Sequence, residues 1–153
     1  MTVSRPMLHC AALLAAALVP LCAHADPCQL EINANDQMQY EKTELSAPAS
    51  CKQVTVTLRH TGKLPKQAMG HDWVLVNGAD FAAVASAGMN AGLAADYVAP
   101  GDKNVIAHTK IIGGGENDTV TFATSAMKKG GTYSYLCTFP GHSVMMHGVF
   151  KLT

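Results

Sequence analysis

The stretch KQVTVTLRH, Lys52–His60, alternates apolar and polar side chains more clearly than any other segment of this 153-residue chain. Successive side chains of a β-strand point to opposite faces, so this alternation predicts a strand with one buried and one exposed face. Four residues share the face predicted to be buried: Val54, Val56, Leu58 and His60. A half-buried strand of this kind needs a second layer to cover its apolar face.

Similar short runs recur on both sides of this segment, and most are bounded by Gly, Pro, Asn or Asp. The runs read LEINA, MQYEK, HDWVLVN, NVIAHTKII, TVTFAT, TYSYLC and GVFKLT. About eight short strands in one domain predict an all-β fold, a Greek-key β-sandwich or barrel.

One segment departs from the strand pattern. Residues 79–98 are rich in alanine, with apolar residues such as Phe81 and Val84 at helical spacing. We expect one short helix in a long connection outside the sandwich, and we expect Gly88 and Gly92 to limit its length.

The N-terminus has the pattern of an export signal. Arg5 precedes an apolar run that ends in a small-x-small cleavage pattern at Ala23–Ala25. We therefore predict that residues 1–25 are a signal peptide that is removed, and that residues 26–153 form a single domain.

The signal segment does not predict a membrane anchor. Its apolar run is shorter than the roughly 20 residues that a bilayer-spanning helix needs, so we expect no membrane insertion. Lipid anchoring at Cys22 is not expected either, because Leu21 stands where lipidation signals carry a small residue.

The charge balance bears on the class of partner. Removal of Arg5 with the signal leaves 10 basic and 11 acidic residues. Nucleic-acid binding requires a basic patch that neutralises phosphates, and the chain has no such cluster. We therefore expect no nucleic-acid partner.

Three cysteines remain in the predicted mature chain: Cys28, Cys51 and Cys137. Thiols of exported proteins tend to pair, and an odd number leaves one unpaired. Cys28 and Cys51 both flank strand-like segments, and a bridge between them would leave Cys137 as the single thiol.

Cys137 begins a stretch rich in soft donor atoms, CTFPGHSVMM, Cys137–Met146. A thiolate, the imidazole of His142 and the thioether of Met146 together select copper over hard cations. A blue-copper site uses two histidines, one cysteine and a distant axial methionine. The rest of the chain must therefore supply a second histidine.

His71 is the best candidate for this second ligand, because it begins a predicted strand at a sheet end where the Cys137 loop could meet it. His60 fits less well, since it lies on the apolar face of its strand. We expect His108 and His147 to be surface residues.

These motifs resemble the azurins, type 1 blue copper proteins of the cupredoxin family. The resemblance rests on GHDW at Gly70–Trp73 and on CTFPGHSVMM, and it extends through NDQMQY, SCKQ, LPK, GMNAGL and VIAHTKIIGGGE. It covers nearly the whole predicted mature chain.

The resemblance implies one copper ion per chain, bound by His71, Cys137 and His142. Met146 is the implied weak axial donor, with the Gly70 backbone carbonyl opposite it. Met145 is a competing methionine, but the spacing of the family's motif selects Met146.

The resemblance also implies a Cys28–Cys51 disulfide and a plastocyanin-like Greek-key sandwich. Asp72, Phe139 and Pro140 are implied neighbours of the ligands. Azurins normally carry asparagine at the position of Asp72, where it helps to join the two ligand-bearing segments. An aspartate accepts hydrogen bonds there but has no amide N–H to donate.

With every coordination position taken by protein, a substrate has no place to bind, which favours a periplasmic electron carrier over an enzyme. The resemblance suggests c-type cytochromes and periplasmic reductases or dehydrogenases as partners, and we expect a monomer. Transient docking is predicted at an apolar patch around His142, formed by Met38, Leu64, Met69, Met89, Phe139, Pro140 and Met145.

Three alternatives remain at this point. Cys137 could be an enzymatic nucleophile activated by a histidine, but this leaves Met146 unexplained. The protein could instead store or deliver copper, which would favour several exposed Met or His motifs over one closed site. A zinc site would favour a second thiolate or a carboxylate.

Overall fold

The computed structural model describes Met1 and residues 26–153. The predicted signal peptide, including Cys22, otherwise lies outside the described residues, so its removal and the single-domain boundary stay predictions. In the described part of the chain, no helix has both the length and the apolar character that crossing a membrane requires.

The described residues form nine β-strands and two α-helices. The strands are β1 (Gln29–Asn35), β2 (Gln39–Tyr40), β3 (Glu44–Ala47), β4 (Gln53–His60), β5 (Val74–Asn77), β6 (Val105–His108), β7 (Asn117–Ala123), β8 (Tyr133–Leu136) and β9 (His147–Leu152). The helices are α1 (Lys66–Met69) and α2 (Phe81–Ala91).

The strands form two sheets, ordered β2-β1-β4-β7 and β3-β9-β8-β5-β6. β4 pairs in parallel with β1 and antiparallel with β7, and β3 pairs in parallel with β9. Parallel neighbours cannot be joined by a tight hairpin, so the chain crosses between the two sheets. The predicted β-sandwich is confirmed.

The alternation in β4 has the predicted result. Val54, Val56 and Leu58 are fully buried, whereas Gln53 and Arg59 are exposed. The core between the sheets also contains Trp73, Tyr135 and Phe150. Burial of these large apolar side chains is the main favourable contribution to the stability of the sandwich.

β3 is the strand that sequence patterning missed. It has only four residues, ELSA, of which Leu45 and Ala47 are buried against the core. Two small residues and a length of four give a weak alternation signal. Pairing with β9 therefore determines this strand more than its own composition does.

Helix α2 lies in the predicted connection and packs Val84 against the outer face of the second sheet, on Val74 and Leu136. It ends at Gly92, as predicted, but it runs through Gly88. A side chain at Gly88 would place its Cβ 2.3 Å from the Tyr97 carbonyl oxygen. Gly88 therefore permits close packing rather than ending the helix. The single-turn helix α1 was not predicted.

The Cys28–Cys51 disulfide is present, and the structure leaves Cys137 as a buried free thiol. The bridge joins the residue before β1 to the segment before β4, which are neighbouring strands. It closes a loop with a sequence separation of 23 residues. A covalent link of this kind stabilises the fold largely by restricting the unfolded chain.

We predict that replacing both Cys28 and Cys51 with alanine lowers the free energy of unfolding by about 3 kcal/mol, the value that loop closure gives for about 24 residues. Urea unfolding of the wild type and the double variant measures the loss. Added reductant should destabilise only the wild type. An unchanged urea midpoint in the double variant would contradict the prediction.

Candidate metal centre

The candidate site lies at the end of the sandwich where β5 begins and β8 ends. These strands are antiparallel neighbours, with Val74 opposite Leu136. Cys137 directly follows β8, and His71 lies three residues before β5. Strand pairing therefore brings together two residues that are 66 positions apart in sequence.

The loop after Cys137 returns the chain to the same place. Gly141 has a φ of 81°, a left-handed conformation that favours glycine. The turn is closed by the His142 N–H, which donates to the Phe139 carbonyl at 2.9 Å. This geometry directs the His142 imidazole toward Cys137.

Three donor atoms meet at this point. Cys137 Sγ lies 3.9 Å from His71 Nδ1 and 3.7 Å from His142 Nδ1. The three atoms lie within 4.8 Å of one another, and all three residues are buried. Donors bound to one ion at about 2.0–2.3 Å would have similar mutual separations. The thiolate and two imidazoles therefore fit a copper ion in both distance and chemical softness.

The protonation states of the two histidines suit metal binding. Burial lowers the pKa of His71 to about 4 and that of His142 to about 4, so both rings are neutral at pH 7. The His71 Nε2–H donates to the Asn35 carbonyl at 2.9 Å. This contact leaves Nδ1 without a proton and facing the sulfur.

The environment of Cys137 has opposing effects on its pKa. Burial raises the pKa of the thiol well above its ordinary value, and the nearby Asp72 carboxylate raises it further. The backbone N–H groups of Asp72 and Phe139 act in the opposite direction, because they stabilise the thiolate. The metal-free thiol is therefore protonated at neutral pH, and binding of a cation must displace its proton.

The structure distinguishes the two adjacent methionines. Met146 is fully buried, whereas Met145 is 62% exposed. The Cys137 N–H donates to the Met146 carbonyl at 3.0 Å, which holds Met146 beside the donor cluster. The Gly70 carbonyl oxygen lies 4.0 Å from Cys137 Sγ. Axial coordination by Met146 and Gly70 stays a prediction.

Asp72 joins the two ligand-bearing segments. Its Oδ1 accepts the Thr138 N–H at 2.8 Å, and its Oδ2 accepts the Thr138 hydroxyl. Burial raises the pKa of Asp72 to about 6, although both Thr138 contacts oppose this shift. The joining role implied for the asparagine of azurins is thus performed here by a carboxylate.

Sequence analysis missed two partners of the site. Thr138 follows Cys137 directly, and its position alone could have suggested a contact with the His71 segment. Asn35 acts through its main-chain carbonyl, which leaves no side-chain signal in a sequence.

The other histidines are not brought into the donor cluster. His60 is buried and stacks on His71 at 4.4 Å between ring centroids. Both its nitrogens are already used, since Nε2 contacts the Met69 carbonyl and Nδ1 accepts the Gly62 N–H. His108 and His147 are exposed, as predicted.

Most of the predicted docking patch is exposed, but Met69 lies in α1 and Met89 in α2, so only the other members lie in loops and turns. Met69 and Phe139 are half-buried, and the exposed members are Met38, Leu64, Met89, Pro140 and Met145. Val144 is also strongly exposed, in the same short turn as His142, and was not predicted. A docking role for this patch stays a prediction.

We predict that binding of Zn²⁺, a redox-silent probe, to the metal-free protein releases about one proton at pH 8. The histidines are already neutral there and Asp72 is ionised, so the proton comes from Cys137. Titration in weakly buffered solution with a pH indicator measures the release. The Cys137→Ser variant should release almost none; equal release from both proteins would contradict the assignment.

Comparisons with known proteins agree with this geometry. A family model described as copper binding proteins, plastocyanin/azurin family, matches residues 26–153. Azurin from Achromobacter denitrificans is 54% identical over 143 residues, which cover 94% of this chain and 95% of that protein. Azurin from Pseudomonas aeruginosa is 51% identical over 128 residues, covering 84% and 86%.

A solved structure of the azurin Az-iso2 from the obligate methylotroph Methylomonas sp. strain J is also similar. Its TM-score is 0.79 at 47% identity, covering 82% of this chain and 98% of that one. The family match spans the donor cluster as well as the sandwich. The chain belongs to the copper-binding plastocyanin/azurin family.

Proposed function

We propose that the protein is a periplasmic electron carrier and not an enzyme. The observation that best supports this proposal is the burial of all three candidate ligands, each supplied by the protein. Catalytic metal sites keep a coordination position open for substrate, whereas a closed site favours electron exchange through the ligands.

A copper ion bound at this site would supply a one-electron Cu(II)/Cu(I) couple. The protein's contribution is to keep the donor atoms in one arrangement. Asp72 joins the His71 segment to Thr138, and the Cys137 N–H bonds to the Met146 carbonyl. Because these contacts lie within a rigid sandwich, the ligands need to move little when the oxidation state changes.

Electrons would leave through His142, which lies in the turn that carries the exposed Val144 and Met145. An apolar surface with flexible methionines suits brief contacts with more than one partner. We propose transient docking of c-type cytochromes and of periplasmic reductases or dehydrogenases there, with the carrier acting as a monomer.

Export to the periplasm is supported by the predicted signal peptide. The Cys28–Cys51 disulfide also fits an oxidising compartment. Copper storage or delivery is less well supported, because such a role requires metal exchange and the candidate ligands are buried.

We predict that Met145→Lys lowers the rate of electron self-exchange between oxidised and reduced protein by tenfold or more, since two lysine-bearing patches repel each other on docking. Line broadening in NMR spectra of mixed oxidation states measures this rate. Val149→Lys is the matched control, because Val149 is 42% exposed on β9, outside the patch. Docking at Met145 would be contradicted if both variants slowed self-exchange equally, or if neither variant slowed it.

We predict that Asp72→Asn raises the reduction potential by an amount on the order of 100 mV, as expected for removal of one nearby charge at an effective dielectric constant of about 20. An ionised carboxylate favours Cu(II) over Cu(I). Asparagine can keep both Thr138 contacts, since its oxygen accepts the N–H and its amide donates to the hydroxyl. Voltammetry at pH 8 provides the measurement, and an unchanged or lower potential would refute the prediction.

A further inference from the structure

A turn outside the candidate ligand set determines how His71 is held. The Asn35 main-chain carbonyl accepts the His71 Nε2–H, and Asn35 is the last residue of β1. The turn that follows, residues 36–38, leads into β2. Because the turn is directly attached to Asn35, its position affects where this carbonyl lies relative to the His71 ring.

Apart from its carbonyl, Asn35 makes contacts only within the β1–turn–β2 segment. It pairs with Gln39, its side-chain amide donates to Gln39 Oε1 at 3.4 Å, and its Oδ1 accepts the Gln37 N–H at 2.9 Å. These contacts shape the turn without attaching it to a distant segment. On the other side of Asn35, the Ala34 carbonyl accepts the Thr61 N–H at 2.8 Å and so anchors the end of β1.

The Asp36 carboxylate attaches the turn to another part of the chain. Its Oδ2 accepts the Lys63 N–H at 2.8 Å, and its Oδ1 accepts the Leu64 N–H at 3.3 Å. Among the described residues, these are the only hydrogen bonds from residues 36–38 to a distant segment, and Asp36 Oδ1 also lies 3.7 Å from His60 Nε2. The Lys63 N–H is the main cause of a lowered pKa for Asp36, with burial opposing it.

The segment that receives Asp36 is itself well anchored. The Leu64 carbonyl accepts the Gly114 N–H at 2.8 Å. A Cβ at Gly114 would lie 2.5 Å from Lys63 backbone atoms, so the two segments are in close backbone contact. Asp36 therefore attaches the turn to a fixed part of the fold.

Gly62 leaves the space that the carboxylate occupies. A Cβ there would lie 2.2 Å from Asp36 Oδ1 and 2.3 Å from its Cγ. Gly62 does not have a positive φ, so its backbone conformation does not call for glycine. The close approach of Asp36 explains the glycine at this position. Gly62 and the N–H groups of Lys63 and Leu64 together form a pocket that holds the Asp36 carboxylate.

We propose that Asp36 is a positioning residue for the candidate copper ligand His71. By holding the turn against Lys63 and Leu64, it keeps the Asn35 carbonyl on Nε2 and so keeps Nδ1 directed at the metal. This role of Asp36 concerns the geometry of one ligand, and it goes beyond the proposed carrier function without depending on it.

The test follows solvent exchange of the His71 Nε2–H in copper(I)-loaded protein, which is diamagnetic, by ¹⁵N NMR. Core backbone amides of β4 serve as the reference for global stability. We expect Asp36→Ala to speed this exchange by about tenfold relative to those amides, the effect of losing a hydrogen bond that holds the turn. Asp36→Asn should have a smaller effect, because its amide oxygen can still accept the Lys63 N–H.

Asp102→Ala is the matched control. The Asp102 Oδ1 accepts the Asn104 N–H at 2.9 Å, in the connection before β6 and without contact to Asn35. This variant should leave His71 exchange unchanged. Asp36→Ala exchange within twofold of the wild type, or an equal rise in the core amides, would overturn the proposal.

Gly62→Ala tests whether the position of the Asp36 carboxylate matters, because it leaves the carboxylate in the chain but fills the space beside it. Its added methyl group should displace Asp36 and speed His71 exchange in the same way. In the Asp36→Ala background the space is open, so the same substitution should add little. Simple addition of the two effects would show that Gly62 and Asp36 act separately and would overturn the proposal.

Discussion

The antiparallel pairing of β5 with β8 is the constraint on which the candidate site depends. It places the end of β8, and hence Cys137, beside the chain that leads from His71 into β5. Neither residue could reach the other from an isolated strand. The bonds from Asp72 to Thr138 continue this pairing beyond the strands, so the ligand segments are joined by side chains where the ladder stops.

Burial at this end of the sandwich has opposite consequences for different groups. It keeps both imidazoles neutral, which prepares them to bind a cation, but it disfavours the thiolate that the same cation requires. Backbone N–H groups offset part of that cost, and a bound cation would offset the rest. The site is therefore arranged for a metal, and in its absence Cys137 is a buried, protonated thiol.

Local patterns predicted much of this structure. The alternation around Val56 identified a half-buried strand, and the spacing of Cys137, His142 and Met146 identified a soft donor set. What could not be predicted depends on tertiary contacts. β3 forms because it pairs with β9. Gly88 is needed because the Tyr97 carbonyl packs against it, and Asn35 contacts His71 through its main-chain oxygen. None of these leaves a pattern in neighbouring residues.

The central claim is that Cys137, His71 and His142 together hold a redox-active copper ion. The visible absorption spectrum of Cu(II)-loaded protein tests it most directly, because an intense blue band requires a copper–thiolate bond. We expect such a band to bleach with a mild reductant and return on oxidation, and to be lost in Cys137→Ser. A colourless protein, or one with only a faint copper band, would show that Cys137 is not a copper ligand and would contradict the account.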